Sequence, residues 1–99
     1  MTDLEITRLC AEAIGLNYGV DHTVVAEGEL FYGPNALTYR PLENDNEALQ
    51  LVRMLHIWIT IPKNSNEWLA QLGIGAISRN ADLNRAICEC VARMQQAKP

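Results

Sequence analysis

Ninety-nine residues suit one compact domain with a modest core, and 48% hydrophobic with 20% charged residues is the balance of a globular chain rather than a disordered one. The formal net charge of -4, from twelve carboxylates against eight Lys and Arg, argues against non-specific phosphate-backbone binding, which needs concentrated positive charge. DNA and RNA are therefore poor candidates for partners. No apolar run approaches the roughly 18–20 residues that span a bilayer, and MTDLEITRLC lacks the basic-then-apolar pattern of a secretion signal. Cys10, Cys88 and Cys90 are expected as reduced thiols in a cytoplasmic protein.

The spacing predicts a first helix over Thr2–Ile14. Thr2 and Glu5 have the separation of a capping box, in which hydroxyl and carboxylate each satisfy a free backbone N–H. Ile6, Leu9, Cys10 and Ala13 form one apolar stripe, and Gly15 stands where a left-handed C-cap falls. Cys10, being on the stripe, reads as a small buried hydrophobe.

From Tyr18 to Tyr39 the helical period disappears. His22–Ala26 and Glu29–Tyr32 read as two strands joined by a turn at Glu27–Gly28. Gly33-Pro34-Asn35 then breaks the chain; the two strands are expected to form a hairpin of open register, with a flexible loop over residues 34–39 as the alternative.

The best-specified stretch is Tyr39–Pro62. Pro41 forces Arg40 out of helical conformation. Asn44 and Glu47 repeat the capping-box spacing, with Asp45 adding negative charge at the helix N-terminus. Ala48, Leu51, Val52 and Leu55 make an apolar face that Leu49 and Met54 widen. His56–Ile61 follows with almost no loop. Ile57, Ile59 and Ile61 point one way and Trp58 the other, so this strand is expected to be central and covered on both faces. Pro62 ends it.

Lys63–Asn66 is a polar turn, and Glu67–Leu72 returns as an antiparallel partner with Trp68, Ala70 and Leu72 on one face. The run Gly73–Ser78 either extends that strand or forms a close-packed loop. Leu83, Ala86, Ile87, Cys90, Val91 and Met94 then give a strong helical period, capped by Asn80 or Asp82, with Glu89 and Arg93 at favourable i, i+4 spacing and a frayed tail over Gln95–Pro99. The order is helix, two strands, helix, two strands, helix (αββαββα). It is an α+β chain, expected to fold as an α/β/α sandwich in which one mainly antiparallel sheet of about four strands lies between three helices.

The run Tyr39-Arg40-Pro41-Leu42, the acidic and Asn-containing helix start, and Ala48-Leu49-Gln50-Leu51-Val52 resemble the signature of the phage ABA sandwich domain, a family of small phage and prophage proteins. The N-terminal helix and Asn84-Arg85-Ala86-Ile87-Cys88 are similar to it as well. The order of elements extends the resemblance over most of the chain, while Trp58–Ser78 is less typical of the family. It implies a bacteriophage or prophage origin, hence the cytoplasm of a bacterial host, and an αβα fold. It implies no particular activity and no site residues.

Chemistry-bearing patterns are few. Cys88 and Cys90, at i and i+2 of a helix, point about 200° apart and cannot chelate one ion together. His22 and His56 have no Ser, Cys or Asp at a catalytic spacing. Gly73-x-Gly75 lacks the third glycine of a dinucleotide fingerprint. Ser78-Arg79-Asn80, read as a glycine-rich approach to a helix N-terminus, is a candidate anion site; ordinary capping is the structural alternative. Tyr39 with Arg40, and Trp58 and Trp68, are candidates for stacking or anchoring, with core packing as the default for Trp58. The candidate ligand-binding set is thus Tyr39, Arg40, Trp58, Trp68, Arg79 and Asn80, with no catalytic residue, metal or cofactor.

Three functions compete on this reading. The first is a non-enzymatic phage accessory protein, acting against host defence as a homo-oligomer that sequesters a nucleotide-type immune signal. The second is a protein-interaction module that inhibits or regulates a host protein through an acidic face. A small enzyme ranks last, since no acid–base pair is legible.

Overall fold

A computed structural model of the chain describes residues 1–15, 30–32, 37–73 and 75–97, with backbone alone at 30–32, 37 and 38. The elements among these residues run α1 (Asp3–Ala13), β1 (Leu30–Tyr32), β2 (Leu37–Tyr39), α2 (Asp45–Leu55), β3 (Trp58–Thr60), β4 (Trp68–Leu72), β5 (Ala76–Asn80) and α3 (Leu83–Gln96). The α+β class read from the sequence holds, with three helices and antiparallel strands. The arrangement of strands differs from the expected one.

Each helix starts at the predicted cap. Thr2 Oγ1 accepts from the Glu5 N–H at 3.1 Å, Asn44 Oδ1 from Glu47 N–H at 3.0 Å, and Asp82 Oδ1 from Asn84 N–H at 3.0 Å, each satisfying one of the donors a helix start leaves open. Gly15 adopts φ +72° after α1, the left-handed conformation its lack of a Cβ permits. Two neighbouring expectations are corrected. The Glu47 carboxylate does not close a capping box on Asn44; it accepts from the Arg40 N–H at 2.7 Å, tying α2 to the end of β2. Glu89 pairs with Arg85 at 3.2 Å rather than with Arg93, because the Arg93 guanidinium reaches across to the Ile77 carbonyl of β5 at 2.6 Å.

The helix starts also meet. Arg85 of α3 binds Asp3 of α1 at 2.8 Å, and Asn84 donates to Asp45 of α2 at 2.8 Å. The three N-termini therefore cluster, and an acidic group at each of them, Asp3, Asp45 and the cap Asp82, offsets the positive dipole ends. Helix α3 is the hub: it packs on β4 and β5 and also receives α1 and α2. Its buried positions are Ala86, Ile87, Cys88, Cys90, Val91 and Ala92, a wider arc than the predicted stripe. Cys88 and Ala92 fall outside a one-sided pattern because α3 has neighbours on more than one side. The helix also continues through Gln95 and Gln96, where a frayed tail was expected.

The first predicted strand, His22–Ala26, and its turn at Glu27–Gly28 lie outside the described residues. The partner of Leu30–Tyr32 is Leu37–Tyr39, in the register Leu30↔Tyr39, Phe31↔Thr38, Tyr32↔Leu37. Half of the stretch read as a loop is therefore a strand, and the Gly33-Pro34-Asn35 break falls between the two arms of a hairpin. Among the described residues this pair is a two-stranded sheet that does not join the other strands.

The second sheet has the order β3-β4-β5, all antiparallel. Gly73, at φ +65°, turns the chain out of β4, and Ala76–Asn80 comes back as an additional strand rather than an extension or a loop. Among the described strands, adding β5 moves β3 to an edge and makes β4 the central strand. His56 does not begin β3. It ends α2 in the left-handed region at φ 57°, its N–H bonded to the Val52 carbonyl, which leaves only three residues for the strand.

Alternation sorts this sheet into two faces. The rows Ile59–Ala70–Ser78, Trp68–Asn80 and Leu72–Ala76 face the helices, with Ala70, Ala76 and Ser78 buried. The rows Trp58–Gln71–Ile77 and Thr60–Leu69–Arg79 face away. Trp58 is 68% exposed and Ile77 42%, so among the described residues no helix layer covers this second face, where the sequence predicts a sandwich. Ile57 is buried, but Ile61 is exposed beyond the end of β3.

Candidate functional site

The six candidate residues do not form one cluster. Tyr39 is 1% exposed and belongs to the core with Ile6, Leu51 and Ile87; no ring face is left for stacking. Arg40 is half-buried, its N–H given to Glu47 and its guanidinium paired with Glu43. These contacts fix the start of α2, the structural role open to a residue before Pro41. Burial raises the Glu47 carboxyl above its ordinary range, opposed by the Arg40 N–H and the Arg40 charge.

Trp68 packs against the core on the helix-facing side of β4. Asn80 shares that side as its register partner, and its Oδ1 accepts from Asp82 N–H at 2.9 Å, which uses it in the turn before α3. Arg79 lies on the opposite face. Ser78, Arg79 and Asn80 are strand residues, so consecutive side chains alternate across the sheet and do not converge on a helix N-terminus. The expected anion site at this segment is corrected on that ground.

What remains is a pair the sequence did not join. Trp58 and Arg79 lie on the same open face, in adjacent rows and on opposite edge strands. Two strand spacings and one two-residue step put their Cα atoms about 12 Å apart. Leu69 and Gln71, half-buried on the central strand, form the floor between them, with Thr60 and Ile77 completing the surface. Among the described residues Arg79 is the one charged side chain in these two rows, in a chain of net charge -4. Such a face offers a large flat aromatic surface, an apolar floor and a single guanidinium. None of these six side chains is a nucleophile paired with a base.

Trp58 and Arg79 were both candidates from residue type. Their association depended on β5, which was not assigned as a strand. Once Ala76–Asn80 is paired with β4, Ile77 and Arg79 alternate onto the Trp58 face by register alone. Sequence reasoning also missed Ile77, whose neighbours Ala76 and Ser78 hid the two-residue period.

Among the described residues, no group of three or more His, Cys, Asp or Glu side chains is placed to hold a metal ion, and no helix is long and apolar enough to cross a membrane. The described residues form a small α+β fold with Trp58 exposed on a sheet face. Comparison with protein-family models, with curated proteins and with solved structures found no match to the chain.

Proposed function

We propose that this chain is a binding protein and that the open face of β3-β4-β5 is its ligand surface. The observation that carries the proposal is Trp58, 68% exposed on the same face as Arg79. Holding a tryptophan in water is unfavourable unless something covers it, and a flat indole is suited to stacking on a planar base. A guanidinium in the adjacent row suits a phosphate, which it binds with a planar fork of donors. Together they favour a small nucleotide-type ligand. The net charge of -4 disfavours long polyanions but leaves a compact anion acceptable at a local cationic site.

The resemblance to the phage ABA sandwich domain extends the proposal to a role: a phage or prophage accessory protein that sequesters a nucleotide immune signal of the bacterial host without consuming it. Two copies meeting at this face would make the α/β/β/α arrangement of a homo-oligomer and enclose the ligand. The runner-up is a protein-interaction module, favoured by the exposed apolar pair Trp58 and Ile77.

Titration of the purified protein with linear and cyclic mono- and dinucleotides, followed by tryptophan fluorescence and native mass spectrometry, tests the reading. A nucleotide should quench Trp58, appear in a defined complex and be recovered intact after denaturation. Arg79→Ala should weaken binding at least about tenfold, the scale of a lost charge-assisted contact, with a melting temperature close to the parent's. Saturating nucleotides without spectral change or complex would remove the ligand reading and leave the protein-interaction module. Consumption of the nucleotide would overturn sequestration.

A further inference from the structure

The three cysteines are free and fully buried, and two of them meet. Cys10 of α1 and Cys88 of α3 are 78 residues apart in sequence, yet the Cys10 thiol donates to the Cys88 carbonyl at 3.5 Å. Cys90 is directed elsewhere, donating to the Ala76 carbonyl of β5 at 3.4 Å. The helices carrying the pair are in extensive contact and are tied at their start by Asp3 and Arg85.

We propose that Cys10 and Cys88 are an oxidisable dithiol whose disulfide staples α1 to α3, an oxidation-sensitive latch built into the core. The sulfur of Cys10 already lies against the backbone of Cys88, on the helix that carries the second thiol, so the two residues are neighbours across the α1–α3 contact a disulfide would bridge. The oxidant is a small-molecule disulfide. One cysteine thiolate attacks it, releases one small thiolate and becomes a mixed disulfide. The second cysteine thiolate attacks the protein sulfur of that bond and releases the other small thiolate. Two protein thiols and one disulfide thus become one protein disulfide and two small thiols, with two electrons passed to the reagent and both protons taken up by its products.

The same packing holds the latch in check. Contact with Cys10 and burial push the Cys88 thiol above its ordinary range, and burial pushes Cys90 up to about 11. The thiolate is the reactive form, so oxidation proceeds when α1 lifts from α3 and admits the reagent, and the helix then closes under a covalent tie. Oxidation rate therefore reports local opening of α1. The device involves neither Trp58 nor Arg79 and is independent of the ligand reading.

The test is to expose the full chain to oxidised glutathione, block remaining thiols with an alkylating reagent, digest, and map disulfides by mass spectrometry. The expected product is an intramolecular Cys10–Cys88 linkage with Cys90 alkylated after unfolding. The oxidised protein should melt roughly 10 °C or more above the reduced one, because the bridge closes a long loop in the unfolded chain. Cys90→Ala should keep the linkage, and Cys10→Ala should abolish both it and the melting shift. If Cys10→Ala fails to fold, Cys88→Ala serves the same purpose, and the map of the parent chain decides alone. A map showing Cys88–Cys90, intermolecular bonds or no bond in the folded protein would overturn the proposal. So would a Cys10–Cys88 bond that lowers the melting temperature.

Discussion

Replacing Trp58 by alanine distinguishes the open sheet from the sandwich expected of the sequence. Trp58 is 68% exposed, so of the roughly 250 Å² a tryptophan can bury, only about 80 Å² is covered. At about 25 cal/mol per Å² that contact is worth ~2 kcal/mol. This is an upper value, since unfolded chains already hide part of such surface. A tryptophan enclosed between a sheet and a helix layer would instead cost about 3–5 kcal/mol on truncation. Urea denaturation of Trp58→Ala, at concentrations where the chain is monomeric, should therefore show a loss of about 1–2 kcal/mol. Trp68, packed against the core, supplies an internal contrast. The chain has two tryptophans, so Trp68→Phe leaves Trp58 alone and Trp58→Phe leaves Trp68 alone. Iodide should quench the first variant strongly and the second weakly. A loss above 3 kcal/mol for Trp58→Ala, together with a Trp58 shielded from iodide in the monomer, would refute the open face and the binding site built on it.

Ser78 is 1% exposed and its hydroxyl has no hydrogen-bond partner among the described residues. Ser78→Ala should therefore be neutral or stabilise by roughly 1 kcal/mol, and a loss of more than 1 kcal/mol in urea denaturation would show that the hydroxyl is satisfied. Asn44→Ala removes the N-cap of α2 and should cost about 1 kcal/mol; a melting temperature equal to the parent's would dismiss the cap as a contributor. Leu51, fully buried from the same helix, should cost about 3–5 kcal/mol on truncation to alanine, seen as a lower urea midpoint. Glu47 gives a pH effect whose sign follows from its raised carboxyl. The folded state holds that proton more tightly than the unfolded state, so stability falls as pH rises from the unfolded value of about 4.5 through the folded one. Glu47→Gln should flatten that decline in melting curves taken between about pH 4 and pH 7; an unchanged slope would assign the decline to other groups.

The sequence by itself determined what local chemistry can specify. The caps Thr2, Asn44 and Asp82, the left-handed Gly15, the apolar periods of α1, α2 and α3, and the β4 segment all follow from contacts within a few residues or from side-chain spacing along one element. The Trp58 alternation was equally legible: its face was assigned correctly. Only the tertiary structure decided whether that face is covered. The same residue types that make a strand suitable for burial also make an exposed recognition surface, and the difference lies in where other elements pack. Strand β5 was obscured because its glycine-flanked start imitates a loop and because pairing with β4, not propensity, holds it in place. Its addition made β3 an edge among the described strands and placed Arg79 on the same sheet face as Trp58. Likewise Tyr39 became core, Arg40 and Asn80 became turn residues before α2 and α3, and Cys10 met Cys88 from 78 positions away. Pairings of that range are set by the packing of α1, α2 and the sheet around α3, since local periodicity specifies which side of an element is apolar but not which partner will cover it.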